Sequence, residues 1–121
     1  MSAVAPGDVV IVVTTFPDRA TAVQLARSLV EKRLAACVSV LAACESVYRW
    51  KEALESASEV PLLIKTRAAL YAEVEAAIRE THPYELPEIV AVPVVRGLAG
   101  YLEWVAAETA ASAMDRPPPA S

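Results

Sequence analysis

Cys37-Val38-Ser39-Val40-Leu41-Ala42-Ala43-Cys44-Glu45-Ser46-Val47-Tyr48-Arg49-Trp50 is strand-like over most of its length, and Glu59-Val60-Pro61-Leu62-Leu63-Ile64-Lys65 returns as a second strand. Two such runs joined by a short polar stretch read as a hairpin. A strand from Cys37 to Trp50 would span roughly 45 Å at about 3.3 Å per residue, whereas a globule of this chain length is about 35 Å across. Part of the hairpin must therefore protrude. Val47, Tyr48 and Trp50, near its tip, would expose apolar surface and unpaired backbone unless they met neighbouring chains. The hairpin is thus the candidate assembly element.

Outward from the hairpin, the remaining elements fall into place. Val9-Val10-Ile11-Val12-Val13-Thr14-Thr15 is a β-branched run of the kind buried on both faces. Pro17 and Asp18 open a helix to about Leu34, with Ala22, Leu25, Ala26, Leu29 and Val30 on its apolar side. Thr66 can cap a second helix, whose stripe is Leu70, Val74, Ala77 and Ile78. Glu88 to Val95 is the last long strand. A terminal helix runs from Leu98 to about Ala111, with Tyr101, Leu102 and Val105 on its apolar side. The order β-α-β-β-α-β plus a helix predicts an α+β fold, a ferredoxin-like sandwich of antiparallel sheet and two helices. Residues 1–111 form the single expected domain, and 112–121, with Pro117-Pro118-Pro119, a mobile tail.

Composition narrows the function classes. The 121 residues and 55% hydrophobic content suit one domain with a continuous core. A mean hydropathy of +0.38 is high for a small monomer, which suggests that another subunit covers apolar area. Eleven basic against fifteen acidic residues give a net charge of −4, opposite in sign to a nucleic-acid binder. Cys37 and Cys44 form neither a disulfide framework nor a Cys-x-x-Cys motif, and on one strand they lie too far apart to bridge. Reduced thiols in the cytoplasm fit best. The N-terminus lacks a basic n-region, and the apolar run from Val9 to Val13 is far shorter than a membrane span, so a soluble protein without a membrane partner is expected.

His82-Pro83-Tyr84-Glu85-Leu86-Pro87-Glu88-Ile89 holds the chain's one histidine between helix and strand. Pro83 and Pro87 bias the preceding residues away from the helical region, so an imidazole and two carboxylates are presented from a restrained loop. The same histidine can also simply cap a helix end.

Taken together, Ala35-Ala36-Cys37-Val38, Ser46-x-Tyr48-x-Trp50, Glu59-Val60 through Ile64-Lys65-Thr66, His82-Pro83-Tyr84-Glu85-x-Pro87-Glu88 and Tyr101-Leu102-x-Trp104 resemble the CutA divalent-cation tolerance proteins in order and spacing, over Val9 to Glu108. The resemblance implies a ferredoxin-like, PII-like cytoplasmic homotrimer assembled through long hairpins. It also implies a link to copper and divalent-cation tolerance, with metal binding, no organic cofactor and no catalytic activity. Three departures stand out. Some members carry a cysteine where this chain has Thr14, and that cysteine with those matching Cys37 and His82 is the usual proposal for a copper site. The hairpin tip reads Trp50-Lys51-Glu52-Ala53-Leu54, without the glycine that supplies a positive φ, so a longer or differently shaped tip is expected. Pro61 cannot donate to a ladder, which argues for a bulge or an edge.

Thiolate and imidazole suit copper or zinc, so Cys37 and His82 are the candidate metal ligands. Two ligands are half a site; Glu85, Glu88 or a neighbouring subunit would supply the rest. An isolated free cysteine is more often a small buried hydrophobe, and Glu45, Glu52, Glu55 and Glu59 offer alternative hard sites. A Cys-His nucleophilic pair lacks an oxyanion hole, and the chain contains no Asn to orient the imidazole, so no enzyme is expected. The alternative reading is a PII-like module binding a small ligand in clefts between subunits, lined by Trp50, Lys65, Tyr84, Glu85, Glu88, Tyr101 and Trp104. An RNA platform is excluded by Leu62, Leu63 and Ile64, which stand where stacking aromatics would be needed.

Overall fold

The computed structural model describes residues 4–109. Along the chain the elements are β1 (Val9–Phe16), α1 (Arg19–Glu31), β2 (Cys37–Val40), β3 (Cys44–Trp50), β4 (Ala53–Arg67), a 3-10 turn (Ala68–Leu70), α2 (Tyr71–Thr81), β5 (Ile89–Pro93) and α3 (Ala99–Glu108). All strand pairs are antiparallel, in the order β2-β4-β1-β5, and β3 also pairs with β4. This is the α+β, ferredoxin-like arrangement with an added helix, its second strand split in two. The expected tail at 112–121 lies outside the described residues.

Alternation along the strands sorts the side chains onto two faces. Val10, Val12 and Phe16 of β1 and Val60, Leu62 and Ile64 of β4 are buried beneath Ala22, Leu25 and Leu29 of α1 and Val74 and Ile78 of α2. The opposite face is covered at one end only, where Val9 and Ala36 pack under Val105 and Leu102 of α3. The rest of that face stays open. Ile11, Val13 and Leu63 are half-buried there, and their neighbours Val90 and Val92 on the edge strand β5 are 48% and 51% exposed.

Pro61 explains the split strand. Val40 pairs with Leu62 and Cys44 with Glu59, so residues 41–43 face only Val60 and Pro61, which is a bulge. Pro61 accepts the Leu41 N–H at 2.9 Å, so its own missing donor points to the side where β2 has ended. Arg19 closes the bulge by donating to the Leu41 carbonyl at 3.0 Å.

Several expectations are corrected. The hairpin tip is tight after all: Trp50 pairs with Ala53, and Lys51 and Glu52 carry φ of 50° and 69°. The unbroken β3–β4 ladder imposes a two-residue turn on residues that do not favour it. The returning strand therefore begins at Ala53 rather than Glu59. Thr66 does not cap α2; it ends the buried face of β4 and its hydroxyl donates to the Leu34 carbonyl at 2.6 Å. The first helix stops at Glu31 because Arg33, at φ 61°, turns the chain while Leu34 N–H returns to the Leu29 carbonyl. On α3, Tyr101 lies off the packed stripe and is 40% exposed.

Candidate functional site

His82 is the C-cap of α2 and its ring ties the following loop to the sheet. Tyr84 N–H donates to Nδ1 at 3.1 Å, which leaves the proton on Nε2 to donate to the Thr15 carbonyl at 2.6 Å. The imidazole contacts the Phe16 and Tyr84 rings, tilted by 39° and 58°, with centroids 4.4 and 4.8 Å away. Both nitrogens are thereby engaged with backbone groups. His82 acts as a positioning residue that sets residues 83–88 against the end of β1.

Those residues and the hairpin enclose a cleft of about 710 Å³, lined by Thr15, Ser46, Val47, Tyr48, Trp50, Glu59 and the loop from Pro83 to Glu88. Strand parity accounts for the walls: Ser46, Tyr48 and Trp50 of β3 share the open face with Glu59 of β4 and Thr15 of β1. Glu59 is the floor. Glu59 as a whole is 7% exposed, and its carboxylate accepts a hydrogen bond from the Thr15 hydroxyl at 3.1 Å. Burial first, then the nearby Glu59 carboxylate and Tyr48, push the Tyr84 phenol above its ordinary pKa. At the rim, Lys51 Nζ lies 4.0 Å from Glu85 and 5.5 Å from the Trp50 ring centroid.

Of the residues singled out in sequence, the fold brings Trp50, Tyr84, Glu85 and Glu88 together here. Lys65, Tyr101 and Trp104 do not line this cleft. Lys65 sits farther along β4, donating to Ser39 Oγ at 2.6 Å and lying 3.9 Å from Cys37 Sγ. Tyr101 is beside Cys37, its phenol raised by burial and then by that sulfur, and its ring is 5.6 Å from Trp104. Thr15, Tyr48 and Glu59 were not read as cleft residues from sequence. The signal lies in the odd-numbered series of β4, Glu59, Pro61, Leu63 and Lys65, which puts a carboxylate on the same face as apolar Pro61 and Leu63.

Cys37 and His82 are held apart within one chain. Cys37 pairs with Lys65, opposite Ile11, while His82 is fixed to Thr15, a separation of about 13 Å along β1 at about 3.3 Å per residue. The thiol faces a lysine ammonium, and both imidazole nitrogens are used. Among the described residues no three His, Cys, Asp or Glu side chains are grouped to hold a metal ion. The described side chains of a single chain therefore do not fit a copper centre.

The sequence profile of the CutA1 divalent ion tolerance proteins matches residues 10–108. The chain belongs to that family. It is 43% identical to human Protein CutA over 100 residues, 83% of this chain and 56% of the human protein, so it spans about half the length of the mammalian relatives it matches. It is 42% identical to the divalent-cation tolerance protein CutA of Pectobacterium atrosepticum, covering 81% of this chain and 89% of that one. The crystal structure of CutA from Xylella fastidiosa superposes with a TM-score of 0.82 at 42% identity, over 85% of this chain and 99% of its own. The matching family and the Pectobacterium relative are named for divalent-cation tolerance and not for an enzymatic activity. No helix among the described residues is long and apolar enough to cross a membrane.

Proposed function

We propose that this chain is a divalent-cation tolerance protein that works as a PII-like homotrimer and binds a small ligand in the cleft between its hairpin and the Pro83–Glu88 loop. The observation that carries the reading is the open sheet face. Ile11, Val13, Leu63, Val90 and Val92 form an apolar surface that a second copy would cover, and that surface ends at the buried carboxylate of Glu59. The reading contains no catalytic step and no organic cofactor. A net charge of −4 supports the exclusion of nucleic acid, and the unbridged Cys37 and Cys44 support a reducing compartment, the cytoplasm.

A second reading follows from the family name, in which the trimer binds a divalent metal, copper above all, through Cys37 and His82. Because one chain separates these ligands, such a site requires side chains from neighbouring copies. Light scattering should give a mass three times the 12.9 kDa of one chain. Copper titration of that assembly beside Cys37→Ala and His82→Ala then separates the readings. We expect weak binding that both variants retain, held by exposed carboxylates such as Glu45, Glu52 and Glu55. A stoichiometric site lost in both variants would instead place copper between subunits, and a monodisperse monomer would remove the assembly altogether.

A further inference from the structure

We propose that the ligand taken by this cleft is a small organic cation, an alkylammonium whose charge meets Glu59 and whose carbon chain lies against Tyr48, Trp50 and Tyr84. The inference deepens the cleft reading and rests on it. Its first ground is the floor. Glu59 is more than nine-tenths buried, yet the hydrogen bond it accepts in the cleft comes from the Thr15 hydroxyl, a neutral donor. A buried carboxylate is costly without a counter-charge, and none of the residues lining the cleft is basic. Lys51, at the rim, lies 4.0 Å from Glu85.

The second ground is the sign of the whole enclosure. Glu59, Glu85 and Glu88 are its charged groups, so carboxylates, phosphates and nucleotides are repelled. Third, the walls distinguish an organic cation from a bare metal ion. A hard divalent ion needs several oxygens converging at about 2.0–2.6 Å, and no such group is present among the described residues. Aromatic faces instead attract an ammonium group within about 6 Å of the ring centroid, and prolines and aromatics together supply apolar contact for methylenes. The cleft's 710 Å³ falls within the range of about 300–1,000 Å³ that small organic ligands occupy.

Spermidine titrated into the assembled full-length Trp104→Phe protein tests this, because Trp50 is then the only tryptophan and lies in the cleft. In about 0.15 M salt, which screens diffuse attraction to an acidic surface, we expect a saturable change in Trp50 fluorescence. Glu59→Gln should weaken it at least about tenfold, the loss of one charge-assisted contact. Since Glu59 is buried, Tyr48→Ala is measured beside it in a sample whose scattering mass still matches the assembled wild type; Tyr48 is 42% exposed in the single chain, so its loss removes a wall without opening the core, and binding should weaken there too. Equal spermidine binding in wild type and both variants would reduce the effect to surface attraction and overturn the proposal. Binding of succinate in place of spermidine would overturn the cation while leaving the cleft as a ligand site. A response to neither would overturn the cleft reading as well.

Discussion

Thr14 is the residue whose sequence reading and structural position diverge most. Its side chain lies on the helix-covered face of β1, fully buried, and its hydroxyl has no hydrogen-bond partner. Cys37 lies on the opposite face, paired with Lys65, so Thr14→Cys does not complete a soft site within one chain. Thr14→Val keeps the shape and removes the unsatisfied group, which should stabilise the fold by about 1 kcal/mol. Thermal unfolding should show a rise of about 3–5 °C, and an unchanged or lower midpoint would mean the hydroxyl is satisfied in solution. His82 was legible in sequence as the residue to watch, but its role was not. Its ring partners are a backbone carbonyl at Thr15 and a backbone N–H at Tyr84, and main-chain groups leave no mark on residue identity.

At the scale of elements, periodicity and β-branched runs located the three helices and the strands, with β2 and β3 read as one run, while their ends depended on long-range pairing. Residues 51–58 look polar and turn-like in isolation, yet the β3–β4 ladder extends the strand through Ala53 and compresses the turn to Lys51 and Glu52. Pro61 did announce the bulge, because a missing donor has only a few places to go in a sheet. The two positive φ values are held by non-glycine residues, each at a cost of about 1 kcal/mol. Replacing Lys51-Glu52 with Asn-Gly should therefore stabilise the hairpin by about 1 kcal/mol or more, since the lost Lys51–Glu85 pair is solvent-exposed and worth little. The denaturation midpoint in guanidinium should move upward. A downward shift would show that Lys51 over the Trp50 ring outweighs the backbone strain.

For the whole molecule, the question is what covers the open face. High mean hydropathy and the overlong hairpin already suggested a missing partner, and the structure gives that excess a place: α3 shields Val9 and Ala36 but stops short of Ile11, Val13, Val90 and Val92. The cleft residues separate from Lys65, Tyr101 and Trp104 along this same face, one group at each end of the apolar strip, a division that depends on strand register and not on composition. Val92 offers a clean test because it is 51% exposed on an edge strand in the single chain. If the face is free, Val92→Lys is a tolerated surface change on an edge, where lysine is common in any case. If three copies meet there, the substitution buries ammonium groups in an apolar contact, each costing several kcal/mol. We expect Val92→Lys to lower the scattering mass from three chains toward one while the far-ultraviolet circular dichroism of the subunit is kept. A variant that remains trimeric with unchanged stability would move the interface off this face and leave the β3–β4 arm as the sole element of assembly.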